Sequence, residues 1–166
     1  VAYEFEKIDS SYRSSISVQS SLVIHPINEF GSQEQKDKYL PSLIKGEKIG
    51  CFGLTESEAG SDPSSMKTTF KEVKDGYVIN GSKNWITNSP IADIFIIWAL
   101  EENKDHKSIQ GFILEKNFIG LKTSSIENKT SLKISPTGQI ILDNVHVPKD
   151  SRLENTHGWK SVFSCL

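Results

Sequence analysis

Residues 51–65, C-F-G-L-T-E-S-E-A-G-S-D-P-S-S, pass from an apolar segment into small and polar residues, with the Thr55 and Ser61 hydroxyls close to Gly53 and Gly60. Glycine removes side-chain bulk and lets a backbone approach a ligand closely. Exposed N–H groups beside two hydroxyls form a donor-rich surface suited to a carbonyl-rich ring or a phosphate. A plain Gly-Ser-Asp-Pro turn between strands is the competing account, since such clusters mark turns generally. The stretch Trp85-Ile86-Thr87 shares the character of residues 52–55: each couples an apolar or aromatic residue to a threonine at an expected strand end. Together they could meet one face and one edge of a planar heteroaromatic ring, the indole giving stacking area and the hydroxyls bonding ring nitrogens or carbonyls. Taken alone, Trp85 reads as a core tryptophan with its N–H satisfied. Arg13 and Ser17 sit four apart and so share a helical face, a spacing that by itself reads as a solvated arginine. Glu56 and Asp62 are candidate proton-transfer carboxylates. Turn capping by Asp62 and structural hydrogen bonding by Glu56 are the simpler readings, because a base must reach the proton it removes.

These residues need a scaffold, and 166 residues with a formal net charge of −2 allow one ordinary domain, or one domain and part of another. The lack of a basic run leaves no footprint for nucleic acid or an anionic membrane surface. No apolar run approaches the length of a membrane span. The opening V-A-Y-E-F-E-K-I-D resembles neither a secretory signal nor a transit peptide, and the missing initiator Met raises the expectation of a fragment. Cys51 and Cys165 are too few and too far apart in sequence for a disulfide framework or a zinc site, so a reducing compartment is expected. Asn80-Gly81-Ser82 and Asn128-Lys129-Thr130 match the glycosylation pattern but read as turn chemistry.

Along the chain, Asp9 or Ser10 can cap a helix running to about Val23, with Pro26 stopping its continuation. Ser32 and Gln35 make a capping box for a second helix reaching Leu40, after which Pro41 begins a turn ending near Gly46. These helices look short of a core of their own and are expected to pack against something absent. From Ile49 onward the pattern changes to short β-rich runs. Residues 68–73 read as a strand, Asp75-Gly76 as a hairpin turn, residues 77–79 as its partner, Asn80-Gly81 as a second turn and residues 83–87 as a third strand. The run I-F-I-I-W-A-L at 94–100 is expected to be central and buried on both faces. Residues 111–115 and 121–124 continue the sheet, and 139–147 end it, with Ile140, Leu142, Val145 and Val147 facing the core and an irregularity at Asp143-Asn144. A helix opens near Gly158. The fold class is α+β, with N-terminal helices followed by an antiparallel β-barrel or sandwich: helical residues 1–46, a β-domain over 47–156, and the start of a further helical segment at 157–166.

The words G-L-T-E-S-E-A-G-S-D-P-S-S and W-I-T-N resemble two signatures of the acyl-CoA dehydrogenase family. The upstream G-S-Q-E-Q-K-D-K-Y-L-P-S-L-I-K-G-E and the downstream I-I-L-D-N-V-H-V-P resemble its pattern in the same order. Within the family, S-S-Y-R-S-S-I-S-V-Q-S-S-L-V-I-H-P-I, G-C-F-G-L-T-E and W-I-T-N-S-P-I-A-D are most similar to the glutaryl-CoA dehydrogenase branch. The resemblance implies FAD as cofactor, with Phe52, Gly53, Leu54, Thr55, Gly60, Ser61, Trp85, Ile86 and Thr87 at the flavin. It implies that Arg13 and Ser17, with Ser14 as a further contact, address the distal carboxylate of the substrate by a charge-assisted pair. Ser61 falls near the FAD pyrophosphate or the CoA thioester.

The implied reaction is α,β-dehydrogenation of an acyl-CoA thioester, followed for glutaryl-CoA by decarboxylation to crotonyl-CoA, with electrons passing to an electron-transferring flavoprotein. In the family a glutamate of a C-terminal helical bundle removes the α-proton. The expectation is that this base lies beyond Leu166, so residues 1–166 alone are inactive and hold FAD weakly. The resemblance further implies a homotetramer at full length and a mitochondrial matrix or bacterial cytoplasmic location. Two rivals stand beside this reading: a dehydrogenase for another short-chain acyl-CoA with Arg13 structural, and a non-enzymatic β-domain binding module. An acyl-CoA oxidase shares the middle-domain design.

Overall fold

A computed structural model describes residues 1–166. The chain begins with α1 (Ala2–Ile8), an element the sequence reading lacks: none of its residues is buried, and its local support is a Glu4–Lys7 pair one turn apart. Asp9 caps α2 (Ser10–Ser17) by accepting the Ser11 N–H at 2.7 Å. The helical path then continues past Pro26, contrary to expectation. Val18–Ile24 forms a π-helix in which the His25 N–H reaches the Ser20 carbonyl, and α3 (His25–Phe30) follows with Pro26 in its first turn. The wider turn leaves room for a proline ring at a point where the ordinary four-residue ladder is already interrupted.

The Ser32–Gln35 capping box is present and opens α4 (Gln33–Ile44). This helix runs through Pro41 instead of stopping before it. Only the final turn follows, and Tyr39 and Leu43 on either side of the proline are buried. Gln35 also reaches across the fold: its Nε2 donates to the Asp150 carbonyl at 2.6 Å and the Arg152 carbonyl at 2.9 Å.

Seven strands, β1 (Gly50–Gly53), β2 (Thr69–Val73), β3 (Gly76–Thr87), β4 (Ile94–Glu101), β5 (Gln110–Glu115), β6 (Leu121–Ser125) and β7 (Thr137–Pro148), form one curled mixed sheet in the order β1-β4-β2-β3-β7-β6, with β5 on β4. The antiparallel expectation holds for β2–β3, β3–β7, β4–β5 and β6–β7, while β4 pairs in parallel with β1 and β2. Strand β4 is central and buried as its sequence predicts. Ile94, Ile96 and Trp98 point to one core, and Phe95, Ile97 and Ala99 to the other.

The first of those cores corrects the expectation for the helices. Val18, Val23, Ile27, Phe30, Tyr39 and Leu43 pack directly against Phe52, Leu54, Ile96 and Trp98 of the sheet side. Each fully buried large apolar side chain contributes about 1.5–3 kcal/mol, so the helices are held by the β-residues of the same chain. Tyr3, Ile8 and Tyr12 remain exposed.

Strand β3 overturns a second expectation. Asn80-Gly81 is not a turn: β3 runs unbroken from Gly76 to Thr87, and residues 77–79 and 83–87 belong to one strand. The glycine, at φ +145, lies in an irregularity of the β3–β7 pairing. Opposite it sits the irregularity expected at Asp143-Asn144, where the Asn144 N–H donates to Asn80 Oδ1 at 2.8 Å and Asn144 has φ 50. Ile140, Leu142, Val145 and Val147 face the core as predicted. Helix α5 (Trp159–Ser164) closes the chain.

Candidate functional site

Strand β1 ends at Gly53, and the chain leaves the sheet as Leu54 and Thr55 before a tight turn in which Glu56 and Ala59 exchange backbone hydrogen bonds at 3.2 Å. Across from it, β3 carries a second irregularity between Lys83 and Ile86. Trp85 occupies it with φ 59, a left-handed conformation that is a genuine outlier for a bulky residue. The bulge turns the indole outward, and Trp85 is 59% exposed. The buried tryptophan is instead Trp98, behind Phe52 with ring centroids 6.2 Å apart, and its indole N–H has no hydrogen-bond partner within the chain.

These two edges, with the π-helical turn above them, enclose a pocket of about 170 Å³ lined by Val18, Leu22, Phe52, Leu54, Thr55, Trp85, Ile86, Thr87 and Leu166. Six of the residues expected at a cofactor therefore meet in one place. The floor is apolar: Phe52, Leu54 and Ile86 are buried. Thr55 and Thr87 are half-buried, and neither hydroxyl forms a hydrogen bond within the chain. A planar ring with polar edges matches this lining, because apolar contact is available to its face and two uncommitted hydroxyls to its rim.

The remaining expected residues lie elsewhere. Gly53 faces the interior: a Cβ there would stand 2.6 Å from Ile97 Cδ1 and 3.2 Å from Lys83 Cγ, so the glycine makes room for protein atoms. Gly60 and Ser61 are exposed in the loop after the Glu56–Ala59 turn, and the missing Cβ of Gly60 borders open space. Asp62 accepts the Ser64 N–H at 3.1 Å and caps a short 3-10 turn, as the simpler reading held. Glu56 accepts the Lys67 N–H at 2.6 Å, the Thr68 N–H at 3.0 Å and Lys83 Nζ at 2.9 Å, so its oxygens are committed to structure.

On α2, Arg13 Nε donates to Glu6 Oε2 of α1 at 2.9 Å, both side chains being partly exposed. Ser14 and Ser17 are half-buried on the same helix. Ser14 precedes the pocket residue Val18 by four positions, so the two share a helical face. Val18 and Leu22 are ordinary apolar positions of this helical path, and nothing in their types marks them as pocket lining.

Trp85 and Thr87 also border a neighbouring hollow of about 310 Å³ with Lys129, Thr130, Ser131, Leu132, Ser135 and Thr137. There Lys129 Nζ donates to Thr137 Oγ1 at 2.6 Å and to the Ser135 carbonyl.

The family models for the acyl-CoA dehydrogenase N-terminal domain and middle domain match residues 1–47 and 51–145 respectively. The chain belongs to the acyl-CoA dehydrogenase family. A short-chain-specific acyl-CoA dehydrogenase of Clostridium acetobutylicum is 40% identical over 151 residues, spanning 90% of this chain and 40% of the relative. Among solved structures, a glutaryl-CoA dehydrogenase of Mycobacterium smegmatis in complex with FADH2 superposes with a TM-score of 0.90 at 39% identity, over 94% of this chain and 39% of its own. The butyryl-CoA dehydrogenase of Megasphaera elsdenii gives a TM-score of 0.92 at 36% identity, over 99% of this chain and 44% of its own. The chain thus spans about two fifths of the length of these acyl-CoA dehydrogenases.

Proposed function

We propose that this chain supplies the flavin-facing wall and the substrate helix of an enzyme that dehydrogenates a short acyl-CoA thioester, with glutaryl-CoA as the substrate. The observation that carries the reading is the convergence of Phe52, Leu54 and Thr55 from one edge and Trp85, Ile86 and Thr87 from another on a single apolar pocket with two free hydroxyls. The cofactor is FAD, which when bound accepts the hydride from the substrate β-carbon.

The chain's own residues bind, orient and exclude. Phe52, Leu54 and Ile86 keep water from the pocket floor, which strengthens every polar contact made above it. Thr55 and Thr87 offer the ring edge a donor from each wall and so set its orientation. Trp85 presents its indole between the two hollows, where it can cover a long ligand passing from one to the other. Glu56 is already bonded by three donors and is not free to take a proton.

Support for glutaryl-CoA comes from the words around Arg13 and from its place on the helix that runs into the pocket-lining Val18 and Leu22. A guanidinium there, with Ser17 one turn along the same face and Ser14 next in the chain, is a carboxylate-binding set. The Arg13–Glu6 pair favours a second reading, in which Arg13 is structural and a monocarboxylic short-chain acyl-CoA is used. The full-length protein should bind FAD and turn over glutaryl-CoA in preference to butyryl-CoA, and Arg13→Ala should lower glutaryl-CoA kcat/KM by about a hundredfold while sparing butyryl-CoA. An unchanged preference in Arg13→Ala gives the second reading, and a protein that neither binds FAD nor turns over an acyl-CoA overturns both.

A further inference from the structure

Lys83 has no exposed surface, alone among the lysines. It stands on β3 two residues before Trp85, and its Nζ donates to the Leu54 carbonyl at 3.0 Å and to Glu56 Oε1 at 2.9 Å, with Met66 Sδ at 3.7 Å. Burial pulls the ammonium down to about 8 against the attraction of Glu56. Burial pushes the Glu56 carboxyl up, but the Lys83 charge and the Lys67 and Thr68 N–H groups outweigh it and hold the carboxyl below its ordinary value. The pair is charged at neutral pH. Buried ion pairs are often no more stable than apolar groups of the same volume, so the question is what this one holds.

Leu54 and Glu56 flank Thr55. One side chain therefore grips both neighbours of the threonine that enters the pocket. Asn84, next along β3, donates its N–H to the Thr55 carbonyl at 2.9 Å and its Nδ2 to Ser57 Oγ at 3.2 Å. Apart from the Met66 contact, the ties made by Lys83 and Asn84 run between the Thr55 wall and the Trp85 wall. No other buried charge touches the pocket segments.

We propose that Lys83 is a positioning residue for the flavin pocket: clamped on the Leu54 carbonyl and the Glu56 carboxylate, it fixes Thr55 at a set distance from Trp85 and Thr87 before the ring arrives. The inference rests on the flavin reading of the pocket given above. Lys83 does not line the pocket and acts through the backbone of Leu54 and the side chain of Glu56, the two residues that flank Thr55. Preorganised donors make no reorganisation when the ligand binds, whereas a wall free to shift loses that advantage.

Three forms of the full-length protein test this: the parent, Lys83→Met combined with Glu56→Gln, and Asn84→Ala. FAD is titrated by tryptophan quenching, the visible spectrum of bound flavin is recorded, and melting without FAD checks the fold. The paired variant should melt close to the parent yet bind FAD about tenfold more weakly or worse, with the fine structure of its flavin band blurred. Asn84→Ala should stay within about threefold of the parent, since Lys83 still grips the loop. A paired variant that binds as the parent does, with the parent's spectrum, overturns the assignment. So does a loss of about tenfold from Asn84→Ala alone, which transfers the role to Asn84. A paired variant that loses the parent's melting transition without FAD makes Lys83 a residue of the fold and also overturns the positioning role. A parent that binds no FAD overturns the flavin reading instead, a result read before either variant is made.

Discussion

The backbone N–H of Asn84 donates to the carbonyl of Thr55 at 2.9 Å, and this bond joins the loop after β1 to the bulge in β3. Two stretches that are far apart in the sequence thereby become the two sides of one cleft. Their side chains face the same space because the backbones that carry them are hydrogen-bonded to each other.

The buried lysine gives the protein a pH signature. In the unfolded chain Lys83 keeps its proton to its ordinary value near 10.5, whereas the folded state releases it at about 8. Between those limits the unfolded state binds more protons, so this group makes stability rise with pH. The thiols of Cys51 and Cys165 are raised by burial and work in the opposite sense above their ordinary value of 9.0. Urea unfolding at pH between about 8 and 9 should therefore show a gain with pH in the parent that is missing from Lys83→Met with Glu56→Gln.

Trp85→Gly separates stability from binding. The indole is 59% exposed and its φ is 59, so glycine relieves about 1–2 kcal/mol of backbone strain while the freer unfolded chain takes back up to about 1 kcal/mol. Denaturant unfolding should place the variant within about 1 kcal/mol of the parent. Fluorescence titration should show FAD affinity reduced about tenfold, because base-like stacking area is lost from the pocket mouth.

Gly53→Ala tests why that glycine is there. The added methyl would meet Ile97 Cδ1 at 2.6 Å and Lys83 Cγ at 3.2 Å, and overpacking of this kind costs about 1–3 kcal/mol. The melting temperature should fall. FAD affinity should fall too, although Gly53 does not line the pocket, because the lysine stem is displaced.

Glu6→Ala releases Arg13 from its partner. Both side chains are partly exposed, so the melting temperature should not change. If Arg13 serves a distal carboxylate, KM for glutaryl-CoA should fall by about threefold as the competing acid disappears, with KM for butyryl-CoA unmoved.

What the sequence discloses depends on whether the deciding partner is near in the chain. The Ser32–Gln35 capping box and the Asp9 cap are complete within three residues and are legible. The β4 run is legible because a continuous apolar stretch needs no partner to be read as buried. Asn80-Gly81 carries the strongest short-range hairpin signal, yet its conformation is set by Asn144, which takes part in the Asn80 contact from 64 positions away. Pro26 and Pro41 read as stops, but a π-turn before one and buried neighbours around the other carry the helix on. The pocket's threonines and tryptophan could be found from residue type. Lys83 could not: a lone lysine in a polar stretch reads as solvated, and only the distant Glu56 and Leu54 explain its burial.

Gln35 fixes an order of events during synthesis. Its amide nitrogen waits for the carbonyls of Asp150 and Arg152, 115 and 117 positions downstream. At about 5–20 residues per second, roughly ten seconds of translation separate the emergence of α4 from that of its acceptors. The N-terminal helices leave the ribosome before the strands that cover their apolar face, and during that interval they are the segment a chaperone would meet. These helices emerge ahead of the strands that cover them, so a stall in translation anywhere within the strands would leave their apolar face open.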